Sequence, residues 1–99
     1  MTPDEARAKL DEFRILIDDV DRRIVELLND RTRVVEEIGR VKRDAQLPIY
    51  EPKREDQVFA NITQSNQGPL DPGAVRRIFE RIIDEMRQIQ RIRMESGAK

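Results

Sequence analysis

With 99 residues the chain is the size of one domain, 1–99, and its 19 basic against 20 acidic side chains leave a net charge of −1, so there is no overall positive field to neutralise a phosphate backbone, and nucleic acid is excluded as an expected partner. No apolar stretch approaches the ~18 residues of a membrane span, so no membrane partner is expected. Cysteine and histidine are both absent, which removes disulfides, thiolate nucleophiles, Cys-based metal sites, Ser–His arrangements and the usual near-neutral acid or base; no metal or other cofactor is expected, and any reaction catalysed must need little proton transfer.

The opening MTPDEARAKL lacks the apolar core of a signal peptide, and a cytoplasmic protein is the expectation. Charge signs alternate along the chain instead of forming blocks, and apolar periodicity persists between them, which favours folded helix over a disordered tail. The first predicted helix opens at Thr2-Pro3-Asp4-Glu5. Thr2 can cap, Pro3 suits the first helical position, and Glu5 completes a capping box. The helix then runs without proline to about Asp44, interrupted only by Gly39, and one glycine costs about 1 kcal/mol, too little to end it.

Leu10, Phe13, Ile17, Val20, Ile24, Leu27, Val34, Ile38 and Val41 recur along this helix at spacings of three and four, the seam of a helix packed over its length. About forty residues at 1.5 Å each reach about 60 Å, whereas a compact domain of this size has a radius of gyration of about 13 Å. The rest of the chain cannot cover such a seam. A second copy is expected to, in a two-fold homodimer.

Arg31 fills the slot between Leu27 and Val34, where the seam calls for an apolar residue. Burying an unpaired guanidinium costs several kcal/mol, which implies an anionic partner, although charged residues in such seams also fix register or snorkel to water. Lys42 lies about three turns on and points the same way roughly 16 Å further along, with Val35 and Ile38 between. Two cations bracketing an apolar floor suit a small, flat, doubly negative ligand. Arg14 is about 25 Å from Arg31 along the axis and rotated by about 100° from that face. It can reach the same ligand only from an antiparallel partner chain; otherwise it is a solvated arginine.

Gln46-Leu47-Pro48-Ile49-Tyr50-Glu51-Pro52 breaks the helix, because each proline biases its predecessor away from helical backbone. A second helix is predicted from Pro52 to about Gln64, with Val58, Phe59 and Ile62 inward. Gln67-Gly68-Pro69 ends the connection. Asp71-Pro72 starts a third helix, whose stripe of Val75, Ile78, Phe79, Ile82, Ile83, Met86 and Ile89 runs towards Met94. The fold class expected is all-α, a three-helix protomer with one very long N-terminal helix.

Phe13-Arg14-Ile15-Leu16-Ile17-Asp18-Asp19-Val20-Asp21-Arg22-Arg23-Ile24, Leu27 to Arg31, Glu37 to Lys42, Pro48 to Glu55, and Ile78 to Ile83 with Gln90, in this order and spacing, resemble the all-helical class of chorismate mutases over roughly residues 8 to 92. They look most like the mutase domain that precedes prephenate dehydratase in bacterial bifunctional enzymes. The resemblance implies an intertwined homodimer with shared active sites and the rearrangement of chorismate to prephenate, a concerted [3,3] shift in which a C–O bond breaks as a C–C bond forms. No proton need move, and the substrate's two carboxylates account for the cations.

Carried over residue by residue, the resemblance implies that Arg31 and the partner chain's copy of Arg14 grip the carboxylates. Lys42 would bond the ether oxygen and a carboxylate, Gln90 would supply the second donor to that oxygen, and Glu55 would accept the ring hydroxyl, with Arg54 beside it steadying the local charge and the Glu51 backbone assisting. Read alone, the Lys53-Arg54-Glu55-Asp56 run is also what a solvated helix start looks like, and Gln90 could cap a packing edge. Met86 stands where relatives often carry a small residue such as serine, which weakens any polar contact expected there, and Glu51 replaces an aspartate seen in some members. Two other functions fit the same fold: a regulatory chorismate- or prephenate-binding domain of another shikimate-pathway enzyme, including docking to one, and isochorismate pyruvate lyase. The Arg54-Glu55 pair and Gln90 favour the mutase. A purely structural dimer would leave Arg31 unexplained.

Overall fold

The computed structural model describes the backbone of residues 1–97 and the side chains of residues 1–93. Three helices follow one another, α1 (Pro3–Asp44), α2 (Pro52–Ser65) and α3 (Pro72–Gly97), and no strand occurs among the described residues. The starts are made as the sequence expects. Thr2 Oγ1 accepts from the Glu5 amide at 3.1 Å, and Asp71 Oδ2 accepts from the amides of Gly73 and Ala74 at 2.9 and 3.3 Å, so orphan donors of the first turns are satisfied. Between α2 and α3, Asn66 accepts from the Gly68 amide through Oδ1 and donates through Nδ2 to the Leu70 carbonyl. Gly68 takes a positive φ of 76°, which a side chain would strain.

The chain divides into two units, Met1–Arg33 and Val34–Lys99. In the first, the whole apolar stripe faces outward: Leu10, Phe13, Ile17, Val20, Ile24 and Leu27 are exposed, from 40% at Val20 to 66% at Leu27. Full burial of one such side chain stabilises by about 1.5–3 kcal/mol. A continuous stripe of this kind is therefore a strong drive to association.

In the second unit the core consists of Val35, Ile83 and Met86 with Gly39, flanked by half-buried Val58, Phe59, Ile62, Val75, Phe79, Ile82 and Ile89. The seam of α1 stays uncovered, as its length implies, and one expectation about α3 is corrected. Val34, Ile38 and Val41 stay exposed while Val35, Gly39 and Lys42 are buried, so the chain covers the face of α1 one residue round from the seam and leaves the seam open. Ile78 is 49% exposed. It precedes Ile83 by five residues, about 140° round the helix, which puts it on the flank of the α3 stripe.

The end of α1 sets up the site. The Leu47 amide donates to the Lys42 carbonyl at 2.7 Å and the Gln46 amide to the Arg43 carbonyl at 3.2 Å, the two bonds of a Schellman motif, with Gln46 at φ 58° in the left-handed position usually given to glycine. A Gln46→Gly substitution relieves that conformation and is expected to raise stability by about 1 kcal/mol, measured by urea unfolding.

Candidate active site

Lys42 lies in the last turn of α1, where the helix dipole favours a cation. It is only 8% exposed. Because the Schellman turn folds the chain back over it, Nζ donates to the Ile49 carbonyl at 2.9 Å and pairs with Glu51 Oε1 at 3.0 Å. These two partners offset the desolvation of a buried ammonium and aim it. Glu51 is the N-cap of α2, yet its side chain makes no cap bond; its carboxylate is turned to Lys42 instead. A cap bond is typically worth ~1 kcal/mol, and Pro52 at the first helical position, with no N–H to satisfy, lessens that loss.

Gln90 bonds to α1 about two turns before Lys42. Its side chain, 7% exposed, donates from Nε2 to the Val35 carbonyl at 3.3 Å. A Cβ on Gly39 would stand 3.6 Å from Gln90 Cγ, an ordinary van der Waals contact, so the stem of Gln90 lies against α1 at Gly39. An amide nitrogen carries two N–H donors, and the second is the one a ligand oxygen can use.

Glu55 sits in the first turn of α2. Its Oε2 is 2.7 Å from Nη2 of Arg87, and the two side chains are 25% and 26% exposed. The Arg87 guanidinium also lies over the Tyr50 ring, 5.2 Å from its centroid. Sequence reasoning misses Arg87 and expects Arg54 to steady the charge at Glu55. Arg54 instead donates to Gln57 Oε1 at 3.3 Å on the surface, and α3 supplies the cation. The available signal was position: Arg87 falls between Ile83 and Gln90, at the edge of the buried stripe of α3.

The second unit thus brings Lys42 and Glu51 together and holds Gln90 and Glu55 in defined settings. Met86 belongs to its core at 7% exposure. In the first unit, Arg14 is exposed and pairs with Asp11 Oδ1 at 3.3 Å, and Arg31 is half-buried. Chemically, Lys42 and Gln90 present buried N–H donors, and Glu55 is an acceptor held in place.

Residues 13–91 match the family model for chorismate mutase type II. The bifunctional chorismate mutase/prephenate dehydratase of Pseudomonas aeruginosa is 36% identical over 80 residues, which cover 76% of this chain and 22% of that protein, so the chain spans about a fifth of that relative's length. The chorismate mutase of Methanocaldococcus jannaschii is 26% identical over 88 residues, 88% of this chain and 89% of its own. Among solved structures, form II of the chorismate mutase from Thermus thermophilus superposes with a TM-score of 0.82 at 35% identity, covering 84% of this chain and 94% of that one.

Proposed function

This chain belongs to the chorismate mutase type II family, and from that membership we propose that it rearranges chorismate to prephenate for phenylalanine and tyrosine biosynthesis, as one functional domain, 1–99, acting as a homodimer with shared sites. The observation that carries the reading is the buried Lys42 ammonium, oriented by the Ile49 carbonyl and Glu51, with the buried Gln90 amide bonded to the Val35 carbonyl of the same helix.

In the [3,3] shift the ether C–O bond breaks while a C–C bond forms, and negative charge develops on the ether oxygen. Lys42 Nζ and Gln90 Nε2 donate to that oxygen and stabilise the transition state more than the ground state. On binding, a substrate carboxylate takes the place of Glu51 beside Lys42, so the ammonium keeps one carboxylate partner. Arg31 holds the carboxylates as a fork-like donor, Arg14 of the partner chain closes the pocket, and Glu55 accepts the ring hydroxyl. Arg54 and the Glu51 backbone line the rim, and Met86 supplies apolar backing. Clamping the enolpyruvyl arm over the ring contributes by orientation.

The open stripe of α1, from Leu10 to Val41, supports the homodimer, because a second copy is the surface that matches it along its length. A cytoplasmic location goes with the reading. Purified protein offered chorismate and isochorismate in parallel tests the function. The expected result is loss of chorismate absorbance with prephenate formed and isochorismate untouched. Pyruvate released from isochorismate would make the chain a lyase, and silence with both would make it a binding domain.

A further inference from the structure

We propose that Arg87 is the positioning residue of Glu55, fixing the carboxylate that receives the ring hydroxyl of the substrate; this rests on the chorismate mutase reading of the site. A glutamate in the first turn of a helix has three side-chain torsions to settle, and nothing in α2 settles them for Glu55: its neighbour Arg54 is engaged with Gln57. Arg87 Nη2 does so from α3, 32 residues away in sequence, at 2.7 Å from Oε2. The bond engages one carboxylate oxygen and so orients Oε1, the atom that accepts the hydroxyl.

Three features separate this pair from the surface ion pairs of the chain. Both side chains are three-quarters shielded, whereas the within-helix pair Arg81–Glu85 is 77% and 48% exposed, so the attraction at Glu55 is less screened. The face of the Tyr50 ring backs the guanidinium. Arg87 Nε, finally, is buried with no hydrogen-bond partner among the described residues. The guanidinium therefore lies where Glu55 needs it, at the expense of one of its own donors.

A double-mutant cycle on the full chain tests this, with kcat/KM for chorismate measured for Arg87→Ala, Glu55→Ala and the double variant. Arg87→Ala is expected to lower kcat/KM about tenfold alone and less than about twofold when Glu55 is already alanine, the signature of coupled neighbours. Arg87→Lys, which keeps a point charge without the planar fork, should recover part of the loss. Should Arg87→Ala not fold, Arg87→Met keeps the stem over Tyr50 and takes its place in the cycle. Equal losses in both backgrounds, or no loss at all, would overturn the positioning role while leaving the mutase reading intact. A wild-type chain without chorismate turnover would overturn both.

Discussion

Lys42→Ala is expected to lower kcat by about two to three powers of ten while KM rises far less, since one donor to a developing oxyanion is worth about 2.7–4 kcal/mol in sites of this electrostatic kind. The asymmetry follows from what Lys42 does. The substrate's carboxylates keep Arg31 and the partner chain's Arg14 in the variant, so most ground-state binding survives, whereas the charge that grows on the ether oxygen loses its ammonium. Glu51 is left without Lys42 but is half-exposed and hydrated, so folding should persist, and circular dichroism checks that it does. A rise in KM with kcat unchanged would move Lys42 from the reacting oxygen to general substrate binding.

Arg14→Ala and Arg31→Ala are each expected to be nearly inactive. Removing one partner of a desolvated, hydrogen-bonded charge pair costs about 2–5 kcal/mol, because the other charge stays buried and unpaired. That corresponds to losses between about thirtyfold and several thousandfold in kcat/KM, read by steady-state kinetics. Arg14 is the more telling of the two. Within its own chain it is an exposed arginine on a nearby aspartate, a setting in which substitution would ordinarily change little. A large loss there requires a second chain to place Arg14 against the substrate.

Local chemistry was readable from the letters. Thr2 and Asp71-Pro72 start helices because capping depends only on the next few residues, and Pro48 keeps the chain out of helix after α1 while Pro52 opens α2, because their backbone restriction needs no tertiary context. The three-four spacing of α1 correctly announced a stripe larger than the chain could cover. What could not be read was which face of α1 the chain keeps for itself. Val34-Ile38-Val41 and Val35-Gly39-Lys42 differ by about 100° of rotation, and only packing decides between them.

The setting of Lys42 was hidden for a different reason. It depends on a left-handed turn at Gln46, where the sequence carries no glycine to advertise it. Glu51, for which the resemblance implied only help from its backbone, pairs through its carboxylate with Lys42. Arg87 has Asp84 one turn before it and so reads as a solvated surface residue; its partner Glu55 is distant in sequence. Contacts of this kind, made between elements by long flexible side chains, leave no periodic trace.

The central claim is that each pocket is built from two chains. Unfolding Arg14→Ala and Arg31→Ala proteins together in equal amounts and refolding them tests it most directly, with native mass spectrometry to count mixed dimers. Half the dimers should be mixed and each should hold one unaltered pocket, so activity should return to about a quarter of the wild-type value. No recovery in a sample where mixed dimers are present would contradict it.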